Sequence, residues 1–424
     1  MQLQAHDRSD FARSLEGIIN AVGQAAANAD LVVLPEGTFP AYVLGDASVD
    51  RTAIVNALER LRDVATTTRT VIVAGAAVHV EQSLRNGAVV IDADGSLAGR
   101  ADKLFLWHFD RRWFARGDRL APIATAVGVL GVLVCADGRL PTIARTLVDR
   151  GAELLVMPTA WVTSGRDPDA LENVQADLLA RVRAYENGVP FVAANKCGAE
   201  LGMVAYCGKS QVVGADGEIL AIANERRPEI LEATLTLGSA RPLRTTLAQP
   251  TSRVTLADRP VRIALTMDTL PHDIDRRLEV LDDAYAISPQ DRERLTLLDR
   301  IIPIAVVGDD VVLDPAALVE YRRAGYRLIG WTTQMAAPWV ERIARSRALE
   351  LRIYVVVFDA AGGRAFAVDP DGTIVAGTFD GYRLASFSFD PSKAAQTTVA
   401  PGTDICDGFE SVTAIVDRQE RAAP

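Results

Sequence analysis

Residues 131–161 read GVLVCADGRLPTIARTLVDRGAELLVMPTAW, and this stretch decides the fold class. An apolar run ends at Cys135, the short turn Ala136–Arg139 breaks it, and Pro141 opens a helix with Ile143, Leu147 and Val148 on one side. Gly151 closes that helix as a C′ glycine, and LLVMPTAW follows as a second buried strand. Strands that read as continuous apolar runs, joined through a helix, belong to a sheet covered on both faces. A side chain at such a strand end is aimed into a cleft, with backbone N–H groups of the turn pointing the same way. Cys135 is therefore a candidate nucleophile beside a ready oxyanion site. Taken alone, the stretch also fits an ordinary core cysteine, because free Cys is among the most buried residue types.

Outward from this centre the same alternation continues. Upstream, Phe11, Leu15, Ile18, Ile19 and Val22 have a helical period. LVVLPEG (31–37) is a strand stopped by Pro35, which places Glu36 at its carboxyl end. A helix with Ile54, Leu58, Leu61 and Val64 leads to the strand VIVAGAAV (71–78). Residues 86–109 form a hairpin turning at Ala93-Asp94-Gly95 and running on to Lys103 and five aromatics, Phe105, Trp107, Phe109, Trp113 and Phe114. Downstream, Asp167 and Pro168 open a helix that ends at Gly188, and VPFVAANKCG and KSQVVGADGEILAI add strands, the latter turning at Asp216-Gly217. The sum is a layered α/β sandwich. Taken singly, Glu36 reads as a turn carboxylate and Lys103 as a surface lysine.

A chain of 424 residues exceeds what one hydrophobic core usually supports, so two domains are expected. With 49% hydrophobic and 24% charged residues there is no compositional case for disorder. A net charge of −10 without a basic patch argues against nucleic-acid and anionic-membrane partners. The longest apolar run, 124–136, is too short to span a bilayer, and MQLQAHDRSD lacks the basic and apolar regions of a signal peptide. Cysteines at 135, 197, 207 and 406 form no CxxC pair, so a reducing, cytoplasmic setting is expected. Histidines at 6, 79, 108 and 272 make no zinc spacing, and no Gly-rich phosphate loop is present, so neither metal nor cofactor is expected.

Taken together, LVVLPEG around Glu36, GRADKLFLWHF around Lys103 and the stretch around Cys135, followed by RVRAYENGVPFVAANKCG and GKSQVVGADGEILA, resemble the nitrilase, or carbon–nitrogen hydrolase, superfamily over about residues 1–245. The resemblance implies an αββα four-layer sandwich and a Glu36–Lys103–Cys135 triad acting without metal or cofactor. It implies cleavage of a non-peptide C–N bond in a small amide or carbamoyl compound through a Cys thioester, with Lys103 and the Ala136 N–H holding the oxyanion. Glu36 would serve as the base. Asp110 stands where relatives usually carry a second glutamate, a shorter side chain that could still position Lys103 or substrate. Trp161, Arg139 and Asn195 match family positions near the site and are read as packing and pocket-shaping residues. Phe39, Tyr42, Trp107 and Trp113, with Arg111, Arg112 or Arg166 as carboxylate holders, are unranked pocket candidates. A nitrile hydrolase and a catalytically inactive binding or regulatory protein are the alternative readings, and an acyl transferase is disfavoured by the lack of a spanning helix.

The last third repeats part of what precedes it. DPAALVEYRRAGYRLIGWTT (314–333) lies over residues 140–159 at an offset of 174, RSRALE (345–350) over RVRAYE (181–186), and DPDGTIVAG (369–377) over GADGEILAI (214–222). The Cys135 position falls on Asp309 or Gly308. The expected organisation is a catalytic domain at 1–245, a linker at 246–257 and a smaller, degenerate α/β domain of similar architecture at 258–424. A homo-oligomer, or a pseudo-dimer through that second domain, is the assembly this suggests.

Overall fold

The computed structural model describes residues 1–46, 48–163, 170–242, 250, 259–267, 302–378 and 384–422, and the backbone of 284–287. The chain forms two units, one of Met1–Arg241 with Ala400–Thr403 and Asp407–Pro424, the other of Pro242–Val399 with Asp404–Cys406. The 246–257 linker lies outside the described residues apart from Pro250.

In the first unit, helices α1 (Phe11–Ala26) and α2 (Arg51–Thr68) pack on each other. Phe11, Ile18, Ile19, Val22 and Ala25 of α1 and Ile54, Ala57, Leu61 and Ala65 of α2 are the buried stripes that the 3.6-residue period demands. Asp50 caps α2 by accepting from the N–H groups of Thr52 and Ala53. Beneath lies a sheet of four strands, β2 (Leu31–Val33), β3 (Val71–Val80), β4 (Ser83–Ile91) and β5 (Leu97–Asp102), in that order. The β2–β3 pair is parallel and the others are antiparallel.

Strands β2 and β3 pack on the second sheet, at β8 and β9. Its order is β13 (Ile219–Ile222), β12 (Gln211–Val213), β9 (Phe191–Ala194), β8 (Leu154–Pro158), β7 (Gly128–Val132) and β6 (Ile123–Thr125). Every residue of β8 is buried, because β7 and β9 flank it in parallel and layers cover both its faces. Helices α3 (Pro141–Asp149) and α4 (Ala180–Asn187) close the outer face on β7, β9 and β12, completing four αββα layers. A third, small sheet joins β1 (Leu3–Gln4), β10 (Lys196–Glu200) and β11 (Val204–Cys207). The helix expected from Asp167 does not run as read: its start, 164–169, lies outside the described residues, and residues 170–173 are described and not helical, the chain there making local turns such as the Glu172 N–H to Ala170 carbonyl bond. Helical turns are described from Gln175, first as a π-helix to Leu179 and then as α4.

The second unit contains a three-stranded sheet in the order β15 (Ala284–Ile287), β14 (Val261–Leu265) and β21 (Ala385–Phe389), and helices α5 (Asp309–Val312), α6 (Pro315–Arg323), α7 (Trp339–Leu351) and α8 (Pro391–Ala395). It also contains a five-stranded sheet in the order β16 (Ile304–Val307), β17 (Leu328–Thr333), β18 (Tyr354–Asp359), β19 (Arg364–Val368) and β20 (Ile374–Gly377). Its pairings run parallel, parallel, antiparallel, antiparallel, as in β7-β8-β9-β12-β13. The registers agree as well, with Leu130 opposite Leu154 and Ile304 opposite Leu328, and with Val213 opposite Ile219 and Val368 opposite Ile374, each of the latter pairs following a bulge. Arg183 donates to the Gly138 carbonyl and pairs with Glu186, while Arg347 donates to the Val312 carbonyl and pairs with Glu350, both arginines being buried. Asp309, one of the two residues that the offset sets against Cys135, accepts with its carboxylate from the Trp331 indole N–H.

One boundary differs from the sequence expectation. The final helix, α9 (Ile405–Ala422), belongs from Asp407 onward to the first unit, not to a domain spanning 258–424. Periodicity shows that Phe409, Val412 and Ile415 form a buried face, but it carries no information about which surface receives them.

Candidate active site

Three chain reversals bring the site together. After β2, the Leu34 N–H donates to the Val73 carbonyl, the Glu36 N–H reaches across the sandwich to the Thr159 carbonyl, and Gly37 turns the chain with φ of 58°. Gly75 makes this approach feasible, since a Cβ there would lie 2.2 Å from the Pro35 oxygen and 2.5 Å from the Glu36 Cα. Lys103 follows β5 directly, its N–H bound to the Asn86 carbonyl. Cys135 follows β7 at the head of a 3-10 turn, Cys135–Arg139, with φ of +48°, a left-handed conformation that costs a non-glycine residue energy and commonly marks functional elbows. Ala136 is the next residue of that turn, where first-turn N–H groups lack intrahelical partners.

The charges are buried and mutually paired. Lys103 Nζ lies 2.7 Å from Glu36 Oε1 and 2.6 Å from Asp110 Oδ2, and all three side chains are fully buried. Burial alone would lower the Lys103 pKa, but Asp110 and Glu36 outweigh it and hold the ammonium well above its ordinary value. Asn86 Nδ2 donates to the same Glu36 Oε1 at 2.6 Å. Glu36 Oε2 is buried and has no hydrogen-bond partner among the described residues, which leaves an acceptor for a proton or a substrate group. Burial pushes the Cys135 thiol up to about 12, the Glu36 carboxylate adds to the rise and the Lys103 ammonium opposes it. The resting nucleophile is thus a thiol that needs a base.

The structure places Asp110 firmly in this group. Its second oxygen accepts from the Tyr42 hydroxyl at 3.0 Å, and the Trp107 N–H donates to Oδ2 at 2.8 Å, so the shorter side chain still reaches Lys103. Burial raises the Tyr42 phenol well above its usual value, as do the Asp110 and Glu36 carboxylates. Trp161 is buried, its N–H held by the Asn195 side chain at 2.8 Å, and its indole N–H has no partner among the described residues. Arg139 stacks on Trp107, 4.3 Å from the ring centre, and burial lowers its pKa to about 10.

The remaining pocket candidates divide. Phe39 packs edge-on against Phe11 in the core under the first sheet, while Trp113 lies against Phe109 and Phe114. Arg111 and Arg112 lie in the short helix His108–Arg112, and Arg166 falls outside the described residues. A cavity of about 190 Å³ lined by Arg100, Asp102, Arg119 and Asp137 includes none of Glu36, Lys103 and Cys135. Among the described residues no cluster of His, Cys, Asp and Glu could hold a metal ion, and no helix is long and apolar enough to cross a membrane.

Two contributors escaped the sequence reading. Asn86 shows only as a polar residue leading into the apolar run GAVVI of a strand. Asp137 accepts from the Leu104 and Phe105 N–H groups with Oδ1 and from the Val134 N–H with Oδ2, tying the Lys103 segment to the Cys135 elbow. Burial pushes its carboxyl up to about 7 against those donors. An Asp two residues after the cysteine was visible, but its partners lie 32 and 33 residues upstream.

A four-layer αββα sandwich with a buried carboxylate, lysine and cysteine at its strand ends defines a hydrolase architecture for C–N bonds. The carbon-nitrogen hydrolase family profile matches residues 1–245, and the chain belongs to that family. Among relatives, a probable nitrilase of Schizosaccharomyces pombe is 32% identical over 159 residues, 38% of this chain and 56% of that protein, so the match spans little more than half of that relative. An (R)-stereoselective amidase of a Pseudomonas species is 30% identical over 231 residues, 52% of this chain and 78% of the amidase. An amidase structure from Nesterenkonia sp. aligns over 54% of this chain and 86% of its own, with 27% identity and a TM-score of 0.47.

Proposed function

We propose that the first unit hydrolyses the C–N bond of a small amide or carbamoyl compound, with Cys135 as nucleophile, Glu36 as base and acid, and Lys103 with the Ala136 N–H as the oxyanion site. The observation that carries this reading is the buried Lys103, paired to Glu36 and Asp110 while Glu36 Oε2 stays unpartnered. Lys103 and Asn86 occupy one carboxylate oxygen and leave the other to exchange protons.

On this reading the reaction runs in two halves. Cys135 Sγ bonds to the carbonyl carbon as its proton passes to Glu36 Oε2, and the carbonyl π electrons move to oxygen, facing Lys103 Nζ and the Ala136 N–H. The oxyanion then reforms the carbonyl, the C–N bond breaks and the proton on Glu36 goes to the departing nitrogen. Ammonia or an amine leaves a thioester. Water attacks that carbon while Glu36 takes its proton, the C–S bond breaks, and the proton returns to Cys135. The products are the acid and the amine, with the enzyme regenerated.

The amidase relative, aligned over most of its length, favours an amide over a nitrile as substrate. Release of ammonia and amine is to be measured across a panel of amides, carbamoyl compounds and nitriles, with Cys135→Ala as control. Amide or carbamoyl turnover abolished in Cys135→Ala is expected. Turnover of nitriles alone would establish the nitrilase alternative, and identical behaviour of wild type and variant would remove the enzymatic reading.

A further inference from the structure

The chain leaves the first unit at Arg241 and returns to it at Ala400, ending in residues 407–422 of helix α9. These residues lie far beyond the family-matched region, yet they contact the two segments that carry Lys103 and Cys135. Gly408 sits where a Cβ would lie 2.7 Å from Phe105 Cε2, 2.8 Å from Phe105 Cδ2 and 3.1 Å from Leu140 Cδ1. Phe105 is two residues after Lys103, and Leu140 ends the turn that begins with Cys135. A turn further along, Arg116 donates to the Ser411 hydroxyl. Near its end, Gln419 Oε1 accepts from the Leu120 N–H at 3.3 Å and from Arg150 Nη1 at 2.9 Å, the latter just after α3. The segment leading into the helix adds Thr403, whose hydroxyl accepts from the His108 N–H at 2.7 Å. The 103–120 segment, which includes Asp110, is thus held along its length by residues 403–419.

We infer that helix α9 is an intramolecular clamp that positions the Lys103–Asp110 segment against the Cys135 elbow, so that the returning C-terminal segment completes the catalytic site from behind. Gly408 and Gln419 are its positioning residues, acting through Phe105, Leu140, Leu120 and Arg150. Glycine at 408 serves close approach, since a Cβ there would meet the Phe105 ring and the Leu140 side chain, which lie on the segments carrying Lys103 and Cys135. The inference rests on the reading of Lys103 and Cys135 as catalytic, and its test includes a readout independent of turnover.

The full-length chain is to be compared with Gly408→Ala, with Gly408→Ala combined with Phe105→Leu, with Phe105→Leu alone, and with Gln419→Ala. Amide hydrogen exchange of the 103–120 and 134–140 peptides is read beside kcat and KM on a substrate found in the panel. The clamp predicts faster exchange in those two peptides with that of 71–91 unchanged, and a kcat about tenfold lower with KM within about twofold. Phe105→Leu should restore both in the double variant, because it removes the ring atoms that the new Cβ meets. Should Gly408→Ala not fold, Gln419→Ala carries the same expectations at the far end of the helix. Wild-type exchange and kcat in the folded variants, or a loss that spreads through 71–91 and is not restored by Phe105→Leu, would overturn the clamp. If wild type turns over nothing in the panel, the functional reading fails by itself, and the clamp still stands or falls on the exchange pattern.

Discussion

At the scale of single residues, the site rests on one buried cation serving two buried carboxylates. Such a group is stable only while complete, since removing one partner leaves an uncompensated charge away from water. Lys103→Ala should therefore cost about 3 to 5 kcal/mol of folding free energy as well as activity, read from urea denaturation beside the amidase assay. A loss confined to activity would show that the pairing contributes nothing to the fold. Cys135 allows a test by pH. With the thiol pushed up to about 12, only a small thiolate fraction exists at neutral pH, and that fraction rises with pH. Carboxamidomethylation of Cys135 by iodoacetamide, followed by peptide mass spectrometry, should accelerate about tenfold per unit between pH 7 and 9 without levelling. A plateau below pH 8 would mean that Lys103 outweighs burial and Glu36.

At the scale of elements, the decisive joint lies between the end of β5 and the turn after β7. Asp137 satisfies three backbone N–H groups there, and truncating it orphans all three in a buried place. Asp137→Ala should cost at least about 3 kcal/mol and depress kcat more than it raises KM, measured by denaturation and steady-state kinetics. Unchanged kinetics in a destabilised Asp137→Ala would make the residue a fold element only. The strands, the turn at Cys135 and α3 were legible because each rests on local chemistry, namely apolar runs, a proline at the first helical position and a C′ glycine. The Asp110 contact with Lys103 was less so, because a side chain one methylene shorter reaches its partner only if the backbone of 107–110 curls toward it, as the Trp107 N–H bond to Asp110 shows.

At the scale of the whole molecule, the second unit shares strand order, strand direction, register and a buried Arg–Glu pair with the β7–β13 part of the first. We read it as a degenerate copy of that part. The elbow differs where chemistry would need it, since Asp309 opens a right-handed helical segment and makes a hydrogen bond to Trp331 in place of a strained thiol. If the copies are equivalent in architecture, Arg183→Ala and Arg347→Ala should each cost about 3 to 5 kcal/mol, read as separate shifts in thermal unfolding of the full chain. A crystal structure in which β16–β20 fails to superpose on β7, β8, β9, β12 and β13 would remove the duplication.

The layered fold was legible along the chain, because apolar period, turn residues and motif order are local properties, and the same properties raised the expectation of the three motif positions and of the repeat. Tertiary structure decided which charges meet. Lys103 bridges Glu36 and Asp110, Asp137 joins segments more than thirty residues apart, and the last helix returns to the first unit. Each of these depends on contacts between residues distant in sequence, where complementary shape and the requirement to satisfy buried polar groups select the partner. Periodicity marks the buried face of an element and is silent about what that face will meet.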